Sequence, residues 1–474
     1  MTMSVKYNFI YNVILTLSTY VANFVLFPYI TRVLGVEQFG IVGFARQTVD
    51  FFILFAMLGM SIVGVREIAV CGNDTARRSQ VFSSLASLSV ITTFITSAVY
   101  VAVILSVPKM HDNLPLMLVG LSRLIFNTLL FEWFYRGIER FRYISLCSIA
   151  IRIIYILAVF MFVKNSDDDV IYFALTCGIV VLNAFVNMVY LRHFVRFSFS
   201  GISIRPYIAP LFRTGLYSII TAMYTTFNVI YLGLVNTDAE IGYYFAATKI
   251  YAIILGIYTA FSNVMFPRMS KLIADKDETG IRRNIDISFD LILAFACPII
   301  AFCIILGPEL IKLLSGEGYE GAILPMQIII CLLLIVGIGQ IIVLQIVIPR
   351  NEDSTLLKAS LIGAVTGILC NVLFVERYGA IGSAFVLLIS ELAVFAFYAI
   401  HLHRKGIFDL PVAKICRNVV LSVPYALICR CCSVFDTYTI WRLVLAMILC
   451  GTYFFILQLF ILKQSAIKQF IRLS

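Results

Sequence analysis

Seven charged side chains sit inside otherwise apolar stretches of this 474-residue chain: Arg46, Asp50, Arg123, Glu132, Arg152, Lys249 and Glu391. An arginine or lysine near the middle of a bilayer costs at least about 2.5–3.5 kcal/mol, so each needs a compensating group. The chemistry open to such a set is binding rather than bond breaking. A buried cation holds a carboxylate or an anionic ligand, and a buried carboxylate takes a proton or a small cation. Arg46 and Asp50 stand four residues apart, so they can neutralise each other on one helix face. Arg123 and Arg152 can bridge to acids of other helices, with Glu132 a candidate partner. Lys249 has no acid near it in its own helix. Glu391, with Asn371, is a candidate proton or sodium site.

Other chemistries lack their residues. The 12 cysteines are scattered through apolar runs without paired metal spacing, and Cys429, Cys431 and Cys432 read as apolar filler near a helix end. His111, His193, His401 and His403 all fall at or near predicted helix ends, and neither an HExxH pair nor a Walker loop is present. No cofactor, metal or nucleotide is expected, and the chain is not expected to be an enzyme. Tyr217, Tyr224 and Tyr231 recur every seven residues, a stripe that reads as packing or interface anchoring before sugar stacking.

The elements that must position these groups are membrane helices. The chain is 61% hydrophobic and 13% charged, with a mean hydropathy of +0.98, against about 45–50% and about 25% for soluble domains. A net charge of +10 would suit nucleic acid, but most cations lie in loops between apolar segments, so no nucleic-acid partner is expected. About 20 apolar residues cross the hydrocarbon as a helix. Fourteen such runs can be drawn, at roughly 8–30, 38–64, 80–106, 113–135, 142–163, 170–191, 211–235, 240–266, 287–306, 322–348, 356–375, 379–400, 411–430 and 440–462. The first is too long for a signal h-region and is expected to be retained. The loops on the side of the N-terminus hold 25 Lys and Arg, among them Lys414, Lys463, Lys468 and Arg472, against 7 on the other. That bias predicts both termini in the cytoplasm.

The expected fold is therefore all-α and polytopic. The longest cytoplasmic connections lie around 196–210 and 267–283. The first falls after helix six and divides the chain into a six-helix half and an eight-helix remainder. Shifting the chain by 202 residues pairs Val33 with Val235, Gly40 with Gly242, Ala45 with Ala247 and Arg66 with Arg268, a faint internal repeat of the kind transporters carry.

The stretches FPYITRVLGVEQFGIVGFARQTVDFF (27–52) and LGMSIVGVREIA (58–69) resemble the opening of the polysaccharide flippases often called Wzx. These belong to the multidrug/oligosaccharidyl-lipid/polysaccharide exporter superfamily. The resemblance rests on Pro28, the Arg32–Gly35 turn, Phe39-Gly40 and Arg66-Glu67. It continues at GYYFAATKIYAIILGIYTAFSNVMFPRMSKL (242–272), with Lys249, Pro267 and Arg268, and at RYGAIGSAFVLLISE (377–391). It implies two pseudosymmetric six-helix lobes around a central cleft, here 1–195 and 211–405 joined by a cytoplasmic linker at 196–210, with two further helices in 406–474. It also implies movement of an undecaprenyl-diphosphate-linked oligosaccharide, an O-antigen, capsule or exopolysaccharide unit, from the cytoplasmic to the periplasmic leaflet of the bacterial inner membrane. Arg46 is a departure, because members of that family commonly carry a neutral residue there.

At 1.5 Å per residue, Arg46 lies about 12 Å along helix two and Lys249 about 13–14 Å along helix eight. Paired lobes would present two cations at similar depth, and such a cleft can hold a diphosphate. Arg46, Lys249, Arg123, Arg152 and Asp50 are thus the candidate substrate residues. Arg32, Arg66 and Arg268 are candidate gating or access residues, with snorkelling the plainer reading of helix-end arginines. The expected partners are the lipid-linked glycan, the bilayer, and a glycan polymerase and chain-length regulator, the chain itself being a monomer. A multidrug/cation antiporter fits less well, since it should hold acids for cationic cargo. A lipid II flippase is disfavoured by the motif match. A membrane-embedded glycan polymerase fits poorly with short external loops and no buried histidine.

Overall fold

The computed structural model describes residues 5–72, 74–197, 201–350, 352–434 and 439–457. Lys463, Lys468 and Arg472, counted above among cytoplasmic cations, and part of the expected linker lie outside them. Among the described residues every regular element is helical and no strand occurs. Hydrocarbon leaves backbone groups no external partners, and helices satisfy them internally.

Among the described residues, eleven helices are long and apolar enough to cross a membrane, or up to twelve with the bent pair Arg205–Ala222 and Thr226–Val235. The fourteen expected spans are not confirmed as a count, and the difference has a physical source. The element Val5–Met57 covers the run drawn at 8–30 and most of that at 38–64, and its backbone leaves the helical region at Gly35, whose φ of 73° lies in the left-handed region. Two helices meet at that glycine, and their 53 residues, about 80 Å of helix in all, are far longer than the hydrocarbon thickness of about 30 Å. Similarly, the span from Ser354 to Arg404 joins the runs at 356–375 and 379–400, and it contains Gly379 at φ 53°.

The helices divide into two compact units, Met1–Gly242 and Tyr243–Ser474. In the first, Val5–Met57 packs on Thr75–Ser106, Leu114–Thr128, Phe141–Phe162 and Thr226–Val235. Its helices break at informative places. Helix Val5–Met57 ends in Leu58 (φ 34°) and Gly59 (φ 74°) before Met60–Val70 begins. Leu114–Thr128 gives way to Glu132–Gly137 through Phe131 at φ 47°. The loosened backbone is satisfied by side chains: Thr92 Oγ1 donates to Ala56 O at 2.7 Å, and Asn187 Nδ2 donates to Leu130 O at 2.7 Å. Thr93 and Thr128 bond hydroxyl to hydroxyl at 2.5 Å. The short helices beyond the breaks bury an aromatic core that includes Phe82, Phe131, Trp133, Phe134 and Tyr135.

One close approach bears on the internal repeat. A Cβ on Gly40 would collide with the carbonyl oxygen of Asp238 and stand 2.7 Å from the Gly242 nitrogen. A Cβ on Gly242 would collide with the carbonyl oxygen of Val36. The shift of 202 maps Val36 onto Asp238 and Gly40 onto Gly242. Each glycine therefore receives the carbonyl that stands four residues before the other. Beside this crossing, Lys109 Nζ pairs with Asp238 at 2.5 Å and donates to Asn236 O at 3.4 Å.

The second unit is organised around Glu278–Ile305, which packs on Ile323–Ile330, Leu332–Ile341 and Val423–Val434. Polar bonds tie these apolar helices together. Ser262 Oγ donates to Gln340 Oε1 at 3.3 Å, and Ser288 Oγ donates to Gln345 Oε1 at 2.9 Å. Lys414, counted above with loop cations, instead lies in helix Val412–Leu421. It pairs with Asp286 at 3.2 Å and Asp290 at 3.0 Å, fastening the late helices to the unit. Cys429 and Cys432 are buried in a small apolar cluster with Leu306, Leu443 and Ala446, while Cys431 is exposed. No set of three metal-ligating side chains occurs among the described residues.

Candidate functional site

The first unit gathers three of the singled-out charges at one point. Asp50, on helix Val5–Met57, lies between two guanidinium groups. Arg123 Nη2 of Leu114–Thr128 bonds to its Oδ1 at 2.5 Å, and Arg46 Nε, one turn back, stands 3.6 Å from its Oδ2. Glu132 is not the partner of Arg123. The helix breaks at Phe131 before reaching it, and Glu132 pairs with Arg136 at 3.0 Å. Two cations thus share one carboxylate, leaving the cluster one positive charge in excess. A short charge-assisted bond explains why Asp50 sits closer to Arg123.

Exposure separates the two arginines. The Arg123 side chain is 15% exposed and that of Arg46 is 32% exposed. Around Arg46 stand groups that sequence reasoning did not single out. Tyr155, Tyr172 and Cys177 lie within electrostatic range of its guanidinium. Tyr155 Oη and Thr176 Oγ1 are 3.2 Å apart, and Thr176 also bonds back to Tyr172 O at 3.0 Å. Tyr155 comes from Phe141–Phe162, and Tyr172 and Thr176 from Asp169–Leu191. Hydroxyl-bearing side chains on two helices therefore stand in the neighbourhood of Arg46 and bond to one another, a combination of charge and neutral donors suited to a many-oxygened anion.

The remaining residues are dispersed. Arg152 Nη1 donates to Ser18 Oγ at 2.6 Å and to Leu15 O at 3.4 Å, with no carboxylate within 4.0 Å among the described residues. In the second unit, the Lys249 ammonium lies 5.3 Å from the centre of the Phe245 ring, a cation–π contact one turn away on its own helix. Arg32 is exposed and reaches back to Pro28 O at 3.4 Å, Arg66 is exposed and paired with Glu67 at 3.0 Å, and Arg268 is exposed. Glu391 is half-buried near Tyr251, with no cation within 4.0 Å among the described residues. Asn371 lies in a π turn and donates to Gly367 O at 2.9 Å, and no hydrogen bond joins it to Glu391. The tyrosine stripe does not form one face: the helix breaks between Ala222 and Thr226, burying Tyr224 while Tyr217 and Tyr231 stay half-buried.

The chain is similar to known proteins in sequence and in fold. The chain is 24% identical over 407 residues to the protein named "Putative O-antigen transporter" of Escherichia coli (strain K12), covering 83% of this chain and 95% of that one. A protein of the same name from Shigella dysenteriae is 23% identical over 392 residues, covering 80% and 95%. Among solved structures, the lipid II flippase MurJ in an inward closed conformation superposes with a TM-score of 0.67, at 14% identity and over 94% of this chain and 98% of that one. A mutant of the Vibrio cholerae MATE transporter VcmN superposes with a TM-score of 0.54, at 15% identity and over 85% and 96%. The chain thus has the fold of these multi-span membrane transporters, as the resemblance of its opening residues predicted. Residues 5–273 match the family described as "Polysaccharide biosynthesis protein", more than half the chain, and it is to this family of membrane proteins that the chain belongs.

Proposed function

We propose that this protein is a flippase that carries an undecaprenyl-diphosphate-linked oligosaccharide from the cytoplasmic to the periplasmic leaflet of the bacterial inner membrane. The observation that carries this reading is the surplus of guanidinium at Arg46, Asp50 and Arg123. A diphosphate has several charged oxygens, arginine offers it a forked pair of donors, and the nearby hydroxyls of Tyr155, Tyr172 and Thr176 add neutral donors. The names of the relatives, O-antigen transporter, and the fold shared with a lipid II flippase support the same class of cargo.

In this reading Arg46 and Arg123 take the diphosphate, Lys249 and Arg152 supply further cationic contacts, and Asp50 orients the first pair. The lobes expected at 1–195 and 211–405 alternate access, with 196–210 as their linker and both termini cytoplasmic. Glu391 and Asn371 serve ion coupling, and Arg32, Arg66 and Arg268 serve gating. The protein works as a monomer and hands its cargo to a glycan polymerase and a chain-length regulator.

Gene deletion followed by leaflet-resolved analysis of lipid-linked glycan tests the proposal. The expected result is oligosaccharide retained on the cytoplasmic leaflet with loss of surface glycan. An unchanged leaflet distribution, or periplasmic accumulation of unpolymerised units, refutes it.

A further inference from the structure

We propose that Asp50 is a displaceable resident anion, whose carboxylate holds the two guanidinium groups in the empty site and is exchanged for a cargo phosphate on loading. This rests on the diphosphate reading of the site and adds to it how the cargo is let go. Three observations carry it. Asp50 is engaged by both arginines, at 2.5 Å and 3.6 Å, so its two oxygens span the gap between them as a phosphate would. The second contact is long and monodentate, and Arg46 has no other acceptor among the described residues, so most of its fork is unused. Finally, the Asp50 and Arg46 side chains are 29% and 32% exposed, so an incoming group can reach them, whereas Arg123 at 15% is anchored.

Charge then sets the cycle. With Asp50 in place, a diphosphate meets two cations and one competing anion. Binding is weaker than two guanidiniums alone would give, and the carboxylate is at hand to reclaim them at release. A site without the resident anion would hold a diphosphate too well to turn over, because catalysis and transport gain nothing from tight ground-state holding. At an effective dielectric near 20, two like charges about 6 Å apart repel enough to change an equilibrium about a hundredfold, and partial exposure with salt screening reduces that to about tenfold.

The test uses the purified full chain, with inorganic pyrophosphate as the probe and thermal unfolding as the binding readout, in parallel with leaflet-resolved flipping in cells. Asp50→Asn is expected to bind pyrophosphate about tenfold more tightly than wild type and to flip lipid-linked oligosaccharide more slowly. Asp50→Glu, which keeps the charge, is expected to bind as wild type does. Where Asp50→Asn lowers the unfolding midpoint, pyrophosphate should restore it to the wild-type value, since the anion replaces the missing carboxylate. Equal or weaker binding by Asp50→Asn beside a wild type that binds, or failure of pyrophosphate to restore the midpoint, overturns the resident-anion proposal alone. A wild type that gains nothing from pyrophosphate, with an Arg46→Gln/Arg123→Gln variant behaving identically, overturns the diphosphate reading and this inference with it.

Discussion

Removing Arg123 and removing Arg46 should have different consequences for the folded protein, although both belong to one cluster. Arg123→Ala deletes the 2.5 Å charge-assisted bond to Asp50 and leaves that carboxylate with a partner at 3.6 Å. A hydrogen bond to a charged group contributes about 1.5–3 kcal/mol, and abandoning a fully buried ion costs about 3–5 kcal/mol. Asp50 is 29% exposed, which places the expected loss near the lower range, about 2 kcal/mol. Arg46→Ala removes only the longer contact of a more exposed side chain, and pairs of that kind contribute about 0.2–1 kcal/mol. The assay is unfolding of each purified variant, paired with surface glycan normalised to protein level in cells. Arg123→Ala should lower stability and glycan together, whereas Arg46→Ala should keep its protein level and lose glycan. Equal destabilisation by the two changes would refute the exposure argument. Normal glycan from Arg46→Ala at normal protein level would remove that residue from transport.

Four further outcomes follow from the packing and charge. Gly40→Leu should abolish folded protein in fluorescence-detected size exclusion, because overpacking alone costs about 1–3 kcal/mol and here the obstacle is backbone. Gly339→Ala, with open space around it, should be tolerated or gain up to about 1 kcal/mol. Lys414→Ala leaves Asp286 and Asp290 facing each other one turn apart; thermal stability should fall, and adding Asp286→Asn and Asp290→Asn should recover part of it. The Lys405 ammonium, 2.8 Å from Glu352, holds that carboxyl below its usual range. The stability it contributes is present above the unfolded-state value of about 4.3 and is lost as pH falls through the lower folded value. Glu352→Gln should therefore flatten the acid limb of a stability–pH curve and leave the alkaline limb unchanged.

Much of the site was legible because buried charge in an apolar run is conspicuous. Arg46 and Asp50 could be paired from spacing alone, since a helix fixes the geometry of residues four apart. Arg123 could be flagged, but its partner could not be assigned. LLFEWF (129–134) contains neither Gly nor Pro, and the break at Phe131 depends on Asn187, 56 residues later, taking the Leu130 carbonyl. Tyr155, Tyr172 and Thr176 were invisible for a related reason, being ordinary residues whose meaning comes only from convergence on Arg46. Lys414 was misplaced because its two aspartates lie more than 120 residues earlier. Hydropathy found the apolar runs, yet it sees no difference between a turn between two crossings and a single glycine such as Gly35.

The crossing of Gly40 and Gly242 ties two distant codons to one fate. Enlarging either residue drives a methyl group into the main chain of the opposite helix, and shrinking the opposite residue cannot relieve it because hydrogen is already the minimum. Compensation by a second change at the partner position is therefore closed off. Revertants selected from a lesion at either glycine should arise at the original codon or through shifts in helix placement, never at its counterpart.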